Sequence, residues 1–189
     1  MDAQSIEVCN GQLGDNLPSD QEVVQLYQSN GIGRMRMYGP NPSTLEALRG
    51  SNIELVLGVS NSDLPALGSD PSAASQWVQN NVGNYFPGVK FRYISVGNEV
   101  DPNKADTTQY VQFVLPAMQN VYNAIVALGL QGPNQGLNCN ILGTSKQLIP
   151  TIARLFRRCE VVHGTDHSIP SHKQVSTACK HIPLFCIQW

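Results

Sequence analysis

The pair Asn98-Glu99 follows the apolar run Tyr93-Ile94-Ser95-Val96-Gly97 directly. A carboxylate at the C-terminal end of such a strand sits where parallel α/β folds place acid–base catalysts. A structural reading is also open: Glu99 can cap the next helix or pair with Arg34 or Arg36. Asp101 and Asp106 lie close behind, but acids ahead of a helix commonly serve as caps or dipole partners. The other chemistry-bearing residues gather late in the chain, as His163, His167, His172, His181, Cys139, Cys159, Cys179 and Cys186. Cys179-x-His181 with Cys186 makes at best a loose metal site, because no pair has the Cys-x2-4-Cys spacing of a compact zinc knuckle. Five cysteines, an odd count, also argue against a closed disulfide framework. No metal and no cofactor is expected.

The elements that would position Glu99 alternate regularly. Ile6–Cys9 reads as a first strand, followed by a Gly/Asn loop whose glycines lack the spacing of a dinucleotide-binding loop. Ser19 and Glu22 form a capping-box pair ahead of Val23, Val24, Leu26 and Tyr27, and Gly31 stops that helix. Gly33–Tyr38 is a second strand, and Asn41-Pro42-Ser43 opens a short helix burying Leu45 and Leu48. Ile53–Val59 is a third strand, apolar throughout except for Glu54, as expected when helices cover a parallel sheet. Asp70 and Pro71 start the next helix, with Ala74, Trp77, Val78 and Val82 inward. Val89–Gly97 is a fourth strand. The fourth helix covers about residues 108 to 128, with Val111, Val114, Leu115, Met118, Val121, Tyr122 and Ile125 on its buried side, and Gly129 closes it. Four βα units in succession predict an α/β fold that is part of a (β/α)8 TIM barrel. A complete barrel takes about 250 residues.

The chain has 189 residues, a formal charge of -2 and 41% hydrophobic residues. That balance gives no reason to expect a nucleic-acid or anionic-membrane partner. No run approaches the apolar length of a membrane span, and Met1–Ile6 lacks the regions of a signal peptide. The even composition conceals a break. Residues 1 to 132 hold 6 Lys+Arg and 12 Asp+Glu, a net of -6, whereas residues 133 to 189 hold 6 and 2, a net of +4. The second segment has little periodicity beyond a short basic helix at Thr151–Cys159, and Pro170 and Pro183 interrupt it. The expected division is 1–132 as the half barrel and 133–189 as an irregular tail.

Residues 4 to 131 resemble the first half of plant endo-β-1,3-glucanases, glycoside hydrolase family seventeen. The resemblance is carried by Ile6-Glu7-Val8-Cys9 with Gly11 and by Gly33-Arg34-Met35-Arg36-Met37-Tyr38. It continues through Asn41-Pro42 and Leu45 to Ile53, then Gly58-Val59-Ser60-Asn61-Ser62-Asp63-Leu64 and Tyr93 to Val100. It implies retaining endo-hydrolysis of β-1,3-glucosidic bonds, a β-1,3-glucan polysaccharide or oligosaccharide as partner, and an extracellular or vacuolar location. Glu99 falls on the family's general acid. By the same resemblance Asn98 contacts the sugar at the cleavage point, Tyr38 lines the groove, and Asn61 is a further glucan contact. Asn10 stands where the family usually has a tyrosine, which implies a weaker sugar contact at that place.

The family's nucleophile, the glutamate of a Ser-Glu-Ser-Gly-Trp motif, has no counterpart in these 189 residues, so the polypeptide alone is expected to be inactive. Alternatives are a non-catalytic β-glucan-binding protein, an allergen-like fragment, or a true basic interaction module in the tail. The tail also suggests a frame change near Gly132. Codons chosen for Gly132 to Ile141 recover the family's Asp-Gln-Ile-Lys-Val-Ser-Thr-Ala-Ile when read one base later. The same shift serves Pro150–Phe156 and Val175–Gln188. Half a barrel is further expected to leave strand edges and apolar strand faces open to self-association.

Overall fold

The computed structural model describes residues 6–130. The expected tail helix at Thr151–Cys159, the Cys179/His181/Cys186 group and Trp189 lie outside the described residues. The order is β1 (Ile6–Cys9), α1 (Asp20–Ser29), β2 (Ile32–Met37), α2 (Pro42–Ala47), β3 (Glu54–Val59), α3 (Leu64–Ser69), α4 (Pro71–Val78), β4 (Lys90–Val96) and α5 (Val111–Ala127). The four strands form one sheet in the order β1-β2-β3-β4, every neighbouring pair parallel. This is the arrangement of consecutive βα units in a partial (β/α)8 barrel.

Local chemistry accounts for most boundaries. Ser19 Oγ accepts the N–H of Glu22 while Glu22 Oε2 accepts the N–H of Ser19, so both halves of the capping box at α1 are made. Asn41 caps α2 and Asp70 caps α4, each with proline at the start of its helix. Gly31 and Gly129 end α1 and α5 in the left-handed region, with φ of 67° and 66°.

Strand alternation separates two faces. Met35, Met37, Leu55, Leu57, Ile94 and Val96 are buried toward the helices with Leu45, Leu48, Val78, Val121 and Ile125. Burying each such side chain contributes about 1.5–3 kcal/mol. The opposite face carries Arg34, Arg36, Glu54, Arg92 and Tyr93. Arg34 Nε donates to Glu54 Oε2 at 3.0 Å, and Arg92 Nη1 donates to the same oxygen. The expectation of apolar strand faces is therefore corrected for β2, where Arg34 and Arg36 stand two positions apart on this face, Arg34 pairing with Glu54 of β3 and Arg36 bonding to Asn98.

One helix escaped the sequence reading. Asn61–Asp63 forms a 3-10 turn that runs into α3, whose Leu64 and Leu67 are buried against α5. Proline breaks a helix interior, but Pro65 occupies the first helical turn, where a missing N–H costs nothing. The fourth predicted helix is divided between a 3-10 turn at Thr108–Tyr110 and α5.

Candidate functional site

Each residue singled out from sequence lies at or just beyond the C-terminal end of a strand: Asn10 after β1, Tyr38 after β2, Asn61 after β3, and Asn98 and Glu99 after β4. The parallel sheet gathers these ends on one edge. The β1–β2 ladder extends to Asn10, whose N–H donates to the carbonyl oxygen of Arg36 at 2.8 Å.

The end of β4 is built with unusual backbone. Gly97 has φ 82° and Glu99 φ 49°, both left-handed. A Cβ at Gly97 would approach Leu64 Cδ1 and Val100 Cγ2 to 3.2 Å, so side-chain crowding adds to the backbone requirement for glycine. Glu99 has no such exemption. A non-glycine residue in this region is uncommon and is held by its surroundings, often where function needs a side chain aimed. Its side chain is 58% exposed, and its Oε2 lies 4.0 Å from Lys104 Nζ.

Asn61 bonds to the residue between Gly97 and Glu99. Gly97 N–H donates to the Val59 carbonyl at 3.2 Å, the last backbone rung between β3 and β4. Beyond it, Asn98 N–H donates to Asn61 Oδ1 at 2.7 Å and Asn61 Nδ2 donates to the Asn98 carbonyl at 2.8 Å. The carboxamide thus continues the ladder in place of a strand.

The Asn98 side chain is oriented from the other direction. Arg36 Nη2 donates to Asn98 Oδ1 at 3.2 Å, and the Arg36 guanidinium lies 5.1 Å from the centre of the Tyr38 ring. Tyr38 is 44% exposed, leaving an aromatic surface beside this cluster. Gly58 makes room for the Tyr38 backbone: a Cβ there would lie 2.6 Å from the Tyr38 carbonyl oxygen.

These contacts leave Glu99 unpaired with either arginine named as its possible partner. Arg34 is committed to Glu54 and Arg36 to Asn98, while the ion pair of Glu99 among the described residues is with Lys104. Asp101 accepts the backbone N–H of Asn103 at 2.8 Å and its side-chain amide at 3.2 Å, so it shapes the loop after Glu99. Asp106 precedes α5 by five positions and caps no helix. Sequence reasoning treated Arg36 only as an ion-pair partner. Its signal was the alternation Arg34-Met35-Arg36-Met37, which puts both arginines on the face away from the helices.

Among the described residues no group of three or more His, Cys, Asp or Glu is placed to hold a metal ion, and no helix is long and apolar enough to cross a membrane.

Comparison with known proteins places this arrangement. The profile of "Glycosyl hydrolases family 17" matches residues 6–146, running past Gly132 into the segment set apart by composition. A glucan endo-1,3-beta-glucosidase of Vitis vinifera is 63% identical over 129 residues, covering 68% of this chain and 37% of that protein. The acidic isoform GI9 of glucan endo-1,3-beta-glucosidase from Nicotiana tabacum is 51% identical over 155 residues, covering 82% and 44%. Among solved structures, CJP38, a beta-1,3-glucanase and allergen of Cryptomeria japonica pollen, superposes with a TM-score of 0.73 at 32% identity, covering 84% of this chain and 53% of its own. The chain spans less than half the length of these two enzymes from Vitis and Nicotiana. With a family profile over most of its length and parallel βα units to match, the chain belongs to glycosyl hydrolase family 17.

Proposed function

We propose that this chain carries the acid half of a β-1,3-glucan-hydrolysing site. Glu99 is the general acid, protonating the leaving glycosidic oxygen and then taking a proton from the attacking water. Tyr38 offers its ring to a glucose unit, and Asn98, aligned by Arg36, hydrogen-bonds the sugar at the cleavage point. The observation that carries the reading is the left-handed Glu99 at the end of β4, in a chain of family 17. The substrate class follows from the names of the relatives, which are glucan endo-1,3-beta-glucosidases.

A retaining mechanism needs a second carboxylate about 5 Å from the acid. The 189 residues contain no Ser-Glu-Ser-Gly-Trp segment, and Asp101 is held in its own turn. This polypeptide alone therefore binds β-1,3-linked gluco-oligosaccharides without cleaving them. Calorimetric titration with β-1,3- and β-1,4-linked oligosaccharides, alongside a reducing-end assay, tests the reading. Saturable binding confined to the β-1,3 series, with no new reducing ends, supports it. Equal binding of both series, or none, removes it.

The strands β1 and β4 bound the described sheet, so self-association through these edges belongs to the same proposal. Sedimentation across a range of concentrations checks it: a constant monomer mass contradicts edge pairing.

A further inference from the structure

We infer that Asn61 is a positioning residue for Glu99, acting through the peptide of Asn98 and not by touching glucan. The inference deepens the assignment of Glu99 as the acid and rests on it.

Three observations meet at this point. The β3–β4 ladder ends at Gly97, and the next two hydrogen bonds across these strands come from one carboxamide, which both accepts from Asn98 N–H and donates to Asn98 C=O. An amide side chain can make this reciprocal pair because it repeats the donor and acceptor of a peptide group. Next, the residue after that clamp is Glu99, whose φ of 49° is unfavourable for a side-chain-bearing residue unless its neighbours hold it. Finally, Asn61 opens the 3-10 turn leading into α3, whose Leu64 and Leu67 are buried. The clamp is anchored in the core, while the carboxylate it serves stays exposed.

The bonds that orient Asn98 divide the work. Arg36 fixes its side chain and Asn61 fixes its backbone. With Asn98 held at its own N–H and its own C=O, one on each of the two peptide groups flanking its Cα, Glu99 starts from a fixed direction. Both polar groups of the Asn61 side chain are thereby engaged within the protein, which fits a support for the acid better than a sugar contact.

The test uses the full 189-residue chain, with Asn61→Ala and Asn61→Asp. The first removes both bonds. The second keeps an acceptor for Asn98 N–H but sets a carboxylate oxygen against the Asn98 carbonyl. NMR of the folded protein reads the φ of Glu99 from its three-bond amide coupling and Cα shift. Titration with a β-1,3-linked gluco-oligosaccharide reads the consequence.

In both variants the left-handed signature of Glu99 should be lost, while shifts of core residues such as Leu57 and Ile94 stay in place. Oligosaccharide affinity should fall on the order of tenfold, the scale of one to two net hydrogen bonds. A purely structural asparagine would lower the melting temperature and leave the Glu99 signature of the folded fraction unchanged, which overturns the inference. Should Asn61→Ala fail to fold, Asn61→Asp decides the matter by the same signature.

Glu99→Ala separates the underlying reading from the inference. If the wild type and Glu99→Ala bind the oligosaccharide equally, the assignment of the acid falls, and with it the purpose of the clamp. If Glu99→Ala binds more weakly but the Asn61 variants leave Glu99 left-handed, the positioning role alone falls.

Discussion

Gly58 is where the account is most exposed to a single methyl group. On β3 it faces the end of β2, and a Cβ added there would lie 2.6 Å from Tyr38 O, 2.7 Å from Tyr38 C and 2.8 Å from Met37 O. All three atoms are backbone, so no side chain can swing aside. Relief must come from separating β2 from β3, against Met37 and Leu57, which are buried beside them. Overpacking of this kind costs about 1–3 kcal/mol. Alanine also narrows the unfolded ensemble, which returns about 0.4–1 kcal/mol. Gly58→Ala should therefore destabilise the chain by about 1–2 kcal/mol. With a urea m-value near 2 kcal/mol/M the midpoint should drop by roughly 0.5–1 M. The fluorescence of the buried Trp77 follows the transition, with Trp189→Phe in both backgrounds to remove the second indole. Since Tyr38 must move, oligosaccharide affinity should fall as well. An unchanged or raised midpoint with unchanged affinity would refute the close approach and the view that it seats Tyr38.

Glu54 gives a pH dependence. Burial by itself raises its carboxyl pKa, but hydrogen bonds and charge from Arg34 and Arg92 outweigh this and hold it below the ordinary 4.5. The stability it contributes is complete above 4.5 and is lost as pH falls through the lower folded value, and urea midpoints across that range should show the loss in the wild type and not in Glu54→Gln. Asn10→Tyr should tighten binding of β-1,3-linked oligosaccharides by placing an aromatic ring at the end of β1, and equal affinities would dismiss the asparagine as a deficit. The frame-change reading of the tail predicts that natural transcript codons from about Gly132 onward yield family segments when read one base later. Codons that do not would leave the tail as a sequence in its own right.

Much of the fold was legible because its signals are local. The Ser19/Glu22 box, the proline after Asp70, and the glycines at 31 and 129 act within a few residues of themselves, and the strands announce themselves by apolar runs. Glu99 was legible as a carboxylate just beyond the end of β4. Its supports were not. The bonds from Arg36 to Asn98 and from Asn61 to Asn98 cross 62 and 37 positions, and nothing near either residue marks its partner. The charged lining of the sheet was missed for a related reason. Arg34, Glu54 and Arg92 sit on separate strands, and only the parallel register brings them together. The helix at Leu64–Ser69 was obscured by Pro65, a breaker in a helix interior and a favourable residue in a first turn.

The role given to Glu99 is tested most directly by β-1,3-gluco-oligosaccharide binding to the wild-type chain and to Glu99→Ala, with product release followed in the same samples. Saturable binding with no product is expected from the wild type, and weaker binding, again without product, from Glu99→Ala, which has lost the group that meets the glycosidic oxygen. Equal affinities, or product release by Glu99→Ala, would contradict the role assigned to Glu99.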